Sequence, residues 1–182
     1  MGVENRRVRP EELEEVGRLT AEVYVGGGFI GVGDGYVHEL VDTARRARAA
    51  EIWVAVEDGP ASDPDSDPEG GARGGRVLGA VTFCPVGSAY REIGRDDEGE
   101  FRMLAVSPAA RGRGIGRALV ELCMWRAGEL GYAGIRMSTM DRMTSAHRVY
   151  ERLGFTRAPQ DDWSPEAGVT LLAFAATLNP SG

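Results

Sequence analysis

The sequence predicts a single α/β domain in which helices cover a central sheet. Apolar runs of strand length alternate with helical spacing in the order strand, two helices, three strands, helix, strand, helix and two strands. With 182 residues, 42% of them hydrophobic and 27% charged, the chain has the size and composition of a globular domain that needs no disulfides or metals. One domain is therefore expected over residues 1–182.

The first expected elements are one strand and two helices. Residues 6–9 predict the strand, and residues 11–25 predict a helix with four glutamates in its first turns, where the helix dipole favours negative charge. Residues 36–50 regain helical spacing and end in several arginines. Between the helices, residues 26–35 form a glycine-rich loop, interpreted as a plain connection or as a mobile lip of a substrate site.

Two strands follow, separated by a segment without large apolar side chains. Residues 51–57 and 76–84 are strongly apolar, whereas residues 59–75 are rich in Gly, Pro, Ser, Asp and Ala. Such a segment cannot bury enough surface to offset the entropy of ordering, so it predicts a flexible insertion at a hairpin tip. An acidic docking segment is the alternative interpretation.

The second half of the chain begins with an irregular region and then returns to regular elements. The expected elements are a strand at 101–106, a helix at 114–130, a strand at 133–139, a helix at 144–153, an extended segment after residue 155 and a last strand at 169–178. The helix at 114–130 is preceded by a basic, glycine-rich turn.

This turn has the composition of a phosphate-binding site. Glycines let the backbone approach a ligand closely, and the free N–H groups and dipole of a helix start favour an anion. Arg111, Arg113 and Arg117 add positive charge. The spacing lacks the third glycine of the dinucleotide fingerprint and the Gly-Lys-Ser/Thr ending of a triphosphate loop. A ligand with a pyrophosphate is the interpretation that remains.

Charge and composition exclude several classes of function. The net charge of −7 argues against general nucleic-acid binding. No apolar run approaches the roughly 20 residues that span a bilayer, and no apolar segment follows the basic N-terminus as in a signal peptide, so a cytoplasmic location is expected. Cys84 and Cys123 are expected as core residues, and no metal site is expected.

Two segments resemble motifs of the GCN5-related N-acetyltransferase (GNAT) family. Residues 101–106 with Ser107-Pro108 and residues 111–119 resemble its acyl-CoA-binding motif. Residues 146–155, Ala-His-Arg-Val-Tyr-Glu-Arg-Leu-Gly-Phe, resemble a later helix of the family and come at a fitting separation. The resemblance implies the acyl-CoA N-acyltransferase fold, a central mixed, mostly antiparallel sheet of about six to seven strands flanked by four helices.

The same resemblance implies that acetyl-CoA is a co-substrate and suggests which residues bind it. The backbone of Leu104, Ala105 and Val106 would pair with the pantetheine arm like an added strand. The residues implied for the pyrophosphate are Arg111, Gly112, Arg113, Gly114, Ile115, Gly116 and Arg117. Tyr150 would protonate the departing thiolate, and a purely structural core tyrosine is the alternative.

The general base is less well defined by the sequence. Glu100 resembles in position a glutamate that some family members use, with a solvated carboxylate at a strand end as the alternative, and His147 is a more distant candidate. Met143 stands where many relatives carry Asn, so another side chain could cap the helix. The possible caps are Asp141, Thr144 and Ser145. Five acids are expected to flank the acceptor cleft and attract a cationic amine, with a role in keeping loops soluble as the equal alternative: Asp96, Asp97, Glu98, Asp161 and Asp162.

The sequence thus predicts an N-acetyltransferase that moves an acetyl group from acetyl-CoA to a primary amine by direct attack in a ternary complex. Its expected partners are acetyl-CoA and an acceptor that is a small molecule or a peptide N-terminus, without nucleic acid or membrane; a homodimer stays open. A catalytically weak or inactive acyl-CoA-binding or sensing module is the alternative. A nucleotide-binding protein that uses residues 26–35 is a third hypothesis.

Overall fold

The computed structural model describes residues 2–57, 75–166 and 168–178. In these ranges the chain forms a seven-stranded sheet with the order β1-β2-β3-β4-β5-β7-β6. The strands are β1 (Val3–Arg7), β2 (Glu51–Glu57), β3 (Arg76–Cys84), β4 (Glu98–Val106), β5 (Gly134–Met140), β6 (Thr156–Arg157) and β7 (Leu171–Thr177). The helices are α1 (Leu13–Gly26), α2 (Tyr36–Val41), α3 (Thr43–Ala49), α4 (Ile115–Glu129) and α5 (Thr144–Arg152).

Most of the predicted elements are confirmed. The bounds of β2 and β3 coincide with the prediction, whereas β1 begins three residues and ends two residues earlier than expected. The expected single helix over residues 36–50 is wrong, because Asp42 leaves the helical conformation and its carboxylate accepts a hydrogen bond from the Arg45 N–H. Asp42 therefore caps a separate helix. The insertion predicted at residues 59–75 lies outside the described residues apart from Gly75.

The sheet separates two apolar cores. On one face, α1 and α2 pack against residues of β2, β3 and β4; on the other, α4 and α5 pack against the centre of the sheet. Cys84 and Cys123 are both buried and free, as expected. None of the helices in the described ranges is long and apolar enough to cross a lipid bilayer.

The sheet opens between its two central strands. β4 and β5 are the parallel neighbours, and they pair only at Glu98–Gly134, Gly99–Ile135 and Glu100–Arg136. Beyond this point β4 continues along β3, and β5 continues along β7. A register shift between β3 and β4 and a positive φ of 55° at Met103 mark a bulge in β4 just past the separation. The two strands therefore diverge and leave a cleft between them.

Candidate active site

A cavity of about 360 Å3 lies where β4 and β5 diverge. Residues of β4, β5 and α5 form one side of it, and α1, α2 and the loop before α2 form the other. Trp163 and neighbouring residues before β7 close a third side. The cavity has the size and the mixed apolar and polar lining of a small-molecule site.

The edge of β4 that faces this cleft is available for a ligand. Past Glu100, β4 has no pairing with β5, and Leu104 lines the cavity. Ala105 and Val106 continue the strand and pair with β3 on the opposite edge. An extended, amide-bearing chain could therefore add to this edge as a further strand.

Tyr150 lies in the cavity wall and is also part of the core. Its side chain on α5 is packed among Phe101, Phe155 and Phe174, with ring centroids 5.8 to 6.1 Å away. Burial raises the pKa of the Tyr150 phenol above its usual value, and Cys123 adds to this shift. The phenol therefore stays protonated at neutral pH, which a proton donor requires.

The glycine turn has the geometry of an open anion cradle. Gly112 and Gly114 have φ values of 77° and 78°, a conformation that suits glycine. Gly114 is the N-cap of α4 and provides no side chain to the free N–H groups of the first turn. A Cβ atom placed on either glycine meets no heavy atom within 4 Å. The residues present therefore fit the pyrophosphate that the sequence predicts.

Two of the three arginines of the turn are engaged with carboxylates. Arg113 forms an ion pair of 2.6 Å with Glu57, and Arg117 one of 2.9 Å with Glu121. Both arginine side chains are exposed, so these ion pairs contribute little stability and can exchange for a phosphate at low cost.

Glu100 lies outside the cavity, although the sequence suggests it as the base. It is 0% exposed, and its carboxylate accepts hydrogen bonds of 2.8 to 3.2 Å from the backbone N–H groups of Glu92, Ile93 and Gly94. A buried carboxylate needs such donors, and here they come from the loop between β3 and β4. This position favours an anchoring role for Glu100.

Glu92 lines the cavity, and sequence reasoning missed it. Its carboxylate forms an ion pair of 2.6 Å with Arg102 on β4, and its side chain is 24% exposed. Desolvation raises the pKa of Glu92 to about 7; Arg102 opposes the shift, while Glu100 and Glu39 add to it. No local motif distinguishes Glu92 from the other acids of its irregular segment, so only the loop conformation identifies it.

The acids that line the cavity differ from those expected. Asp34, Glu39, Glu92 and Glu166 line it, and we call them the acidic wall. The five acids that the sequence placed beside the acceptor cleft do not line the cavity, so the structure gives them no direct contact with an acceptor there. Glu98 and Asp161 both bind Arg136, Asp162 binds Arg157, and Asp96 and Asp97 are exposed outside the cavity. The charges of Glu98, Asp161 and Asp162 are thus paired with arginines of the sheet.

The structure also locates His147 and Met143, two further residues that the sequence analysis considered. The His147 ring contacts the Met140 carbonyl at 3.0 Å and packs on Phe174, so it is not a lining residue of the cavity. Met143 lines the cavity and is the N-cap of α5, without a side-chain capping bond. The expected replacement cap from Asp141, Thr144 or Ser145 is therefore absent at this helix start.

Known proteins resemble the chain in both sequence and fold. The profile described as Acetyltransferase (GNAT) domain matches residues 48–157. The mycothiol acetyltransferase of Geodermatophilus obscurus is 35% identical over 68 residues, which is 37% of this chain and only 22% of that protein. The chain thus matches about a fifth of the length of this curated relative.

Three solved structures share the fold over nearly the whole chain. A GNAT acetyltransferase of Staphylococcus aureus Mu50 gives a TM-score of 0.71 at 13% identity, with 98% of this chain and 100% of that chain covered. The protein yncA of Salmonella typhimurium, solved with its cofactor acetyl-CoA, gives 0.66 at 16% identity and 100% and 97% coverage. A GCN5-related N-acetyltransferase of Kribbella flavida gives 0.64 at 24% identity and 97% and 98% coverage.

The likeness to these structures confirms the predicted fold, a mixed sheet flanked by helices. The profile covers more than half of the 182 residues, including β4, the glycine turn, α4 and α5. The chain belongs to the GNAT acetyltransferase family.

Proposed function

We propose that the protein transfers an acetyl group from acetyl-CoA to a primary amine by direct attack within a ternary complex. The supporting observation is that one cavity joins the free edge of β4, Tyr150 and the acidic wall. Donor, proton source and acceptor can thereby meet in a single cleft, which promotes reaction through proximity.

The residues that would hold acetyl-CoA fit the ligand. The backbone of Leu104, Ala105 and Val106 offers hydrogen-bonding groups to the pantetheine arm. Residues 111–117 offer N–H groups, the helix dipole of α4 and arginine side chains to the pyrophosphate. Bound there, acetyl-CoA supplies an acetyl thioester as the acyl donor. Tyr150, kept protonated by its burial, gives a proton to the departing sulfur.

The acceptor side of the cavity favours a cation. Among the residues that the structure describes, four lining carboxylates oppose one lining arginine, Arg102, which is already paired with Glu92. The aromatic rings of Tyr24, Tyr36 and Trp163 line the same space and can stabilise an ammonium group through cation–π contact. We therefore propose a compact cationic amine rather than a neutral or acidic acceptor.

One observation favours the alternative of a weak or inactive acyl-CoA-binding module. Met143 places an apolar side chain at the start of α5, beside the cavity, where a polar contact to the ligand would otherwise come from. A protein that binds CoA tightly and transfers no acetyl group to any amine would support this module.

The direct experiment is an acceptor screen that follows release of free CoA thiol. We expect thiol release that depends on both acetyl-CoA and a cationic amine, with an acetylated amine as the product identified by mass spectrometry. The panel contains arylalkylamines, polyamines, aminoglycosides and peptides with a free N-terminus, and N-acetylated forms of the same compounds serve as controls. Cytoplasmic residence, the single domain over residues 1–182 and a homodimer stay predictions for fractionation, proteolysis and light scattering.

A further inference from the structure

The loop between β3 and β4 wraps around one buried carboxylate and presents another to the cavity. Three consecutive backbone N–H groups, from Glu92 to Gly94, converge on the carboxylate of Glu100. Because Glu100 is fully buried, water cannot replace these hydrogen bonds. A movement of the loop would therefore leave the carboxylate without donors, which is costly. The side chain of Glu92 projects from the same loop segment into the lining of the cavity.

Glu92 is also held from the side by a second contact. Arg102 donates to a carboxylate oxygen of Glu92 at 2.6 Å and to the Tyr90 carbonyl at 2.9 Å. One guanidinium thus links the Glu92 side chain to the loop backbone before it. Since Arg102 and Glu100 are both on β4, this strand fixes the loop and the direction of the Glu92 side chain together.

We propose that Glu92 is the general base that takes the proton of the acceptor amine, and that Glu100 is a positioning residue that holds Glu92 at the cavity. This inference rests on the proposed acetyl transfer. It assigns different roles to two carboxylates that lie eight positions apart in the chain. The two are linked because the Glu92 backbone N–H donates to the Glu100 carboxylate. Glu92 has access to the acceptor, whereas Glu100 has none.

The surroundings of Glu92 suit this role. The groups that face it are Arg102 and Glu100 on β4, Glu39 and Tyr36 on α2, and Cys84 at the end of β3. Burial raises the pKa of Glu92 to about 7, which is near the value at which a general base is most effective at neutral pH. Burial raises the pKa of Tyr36 and of Cys84, so neither supplies a base near pH 7.

The proton balance of the reaction is complete with these groups. Glu92 takes one proton from the acceptor ammonium and releases it to solvent. The free amine then forms a C–N bond to the acetyl carbon, the C–S bond breaks, and the sulfur leaves with the electron pair and takes the Tyr150 proton. As the amide forms, its nitrogen loses a second proton, which restores the phenol through solvent. The products are an amide, CoA thiol and one released proton.

The test compares Glu92→Gln and Glu100→Gln by the pH dependence of kcat/KM for the amine. We expect the wild-type rate to rise with pH through an inflection near 7, because the base acts only when deprotonated. Glu92→Gln should lower kcat about 100-fold or more and remove this inflection, with the Kd for CoA unchanged. Glu92→Asp should restore part of kcat together with the inflection.

Glu100→Gln should behave differently. An amide NH2 group in place of one carboxylate oxygen faces backbone donors, so the loop shifts, kcat falls and the Tm drops. The inflection stays, displaced from 7, because Glu92 is still present. Glu22→Gln removes an exposed carboxylate that pairs with Arg18, and as the matched control it should leave rate and pH profile unchanged.

A readout without turnover uses carbon-13 NMR of the glutamate side-chain carboxyl groups. One resonance should titrate near pH 7 in the wild-type protein and be missing in Glu92→Gln. The proposal is overturned if Glu92→Gln keeps the inflection while Glu100→Gln loses it, or if no glutamate titrates near 7. A wild-type protein that binds CoA but acetylates no amine overturns the proposed function itself. That result is distinct from an active enzyme in which Glu92 is dispensable.

Discussion

The rings of Phe101 and Tyr150 pack against each other with centroids 5.8 Å apart and planes inclined by 59°. Phe101 lies on β4 at the first position after the strand leaves β5, and Tyr150 lies on α5. This contact joins the helix to the diverging strand. It also places the Tyr150 phenol at the cavity rather than deeper in the core.

Tyr150→Phe should lower kcat about 100-fold, because it removes the proton donor and keeps the ring that packs on Phe101. The Kd for CoA and the Tm should change little, as measured by calorimetry and thermal unfolding. Tyr132→Phe removes another tyrosine hydroxyl, one bonded to the Val86 N–H outside the cavity, and should retain the wild-type kcat. Equal loss of kcat in both variants would contradict an acid role.

The pH profile gives a second check on Tyr150. Because burial raises the pKa of this phenol above its ordinary value of about 10, the proton donor remains intact through pH 10. Deprotonation of Tyr150 should therefore cause no fall in kcat between pH 8 and pH 10. A falling limb in that range that disappears in Tyr150→Phe would mean that the phenol ionises there.

Gly114→Ala should weaken both folding and CoA binding. At a φ of 78° a side chain costs about 1–2 kcal/mol, and the new methyl group stands in the space above the cradle. We expect the free energy of unfolding to fall by that amount and the Kd for CoA to rise about tenfold, the equivalent of one lost hydrogen bond. Urea unfolding and calorimetry measure the two quantities.

Gly131→Ala is the control that distinguishes backbone strain from lost contact with the ligand. Gly131 follows α4 with a φ of 74° and likewise has no atom within 4 Å of an added Cβ, but it lies at the opposite end of the helix. The variant should lose comparable stability and bind CoA like the wild type. If Gly131→Ala weakens CoA binding as much as Gly114→Ala does, the pyrophosphate does not bind at the turn that contains Gly114.

Gly17→Ala should loosen the wall that carries Tyr24 and Tyr36. A Cβ at Gly17 would lie 2.8 Å from the Val41 carbonyl oxygen, so α1 and α2 must move apart. We expect a loss of about 1–3 kcal/mol in urea unfolding and a higher KM for the amine. Gly26→Ala, on the same helix with open space around the added methyl, should raise the free energy of unfolding by up to about 1 kcal/mol and leave the KM unchanged.

The acidic wall should set the preference for charged acceptors. Glu39→Gln and Glu166→Gln should each raise the KM for a cationic amine about 2- to 5-fold, the range of an exposed ion pair, with kcat nearly unchanged. The effect should shrink in high salt. Glu22→Gln is the matched control, and identical KM values for all three variants would argue against charge recognition by this wall.

Local sequence is sufficient for much of the fold. Apolar runs predict β2 and β3 with the bounds that the structure has, because a strand buried on both faces leaves a continuous hydrophobic signal. The break at Asp42 has a local cause too, an N-cap residue inside a helical pattern. The new helix is also held by a tertiary contact, because the Thr43 hydroxyl donates a hydrogen bond to the Leu13 carbonyl on α1.

Contiguous residues thus determine the glycine turn and the start of α4, because their chemistry depends on neighbours in the chain, whereas the position of Tyr150 also depends on its packing against Phe101 of β4. Tertiary structure alone decides which carboxylate reaches the acceptor. Glu100 is on the predicted strand, yet the loop folds over it and buries it, while Glu92 in an irregular segment faces the cavity. Desolvation and hydrogen bonding depend on what packs around a side chain, and residues distant in sequence supply that packing.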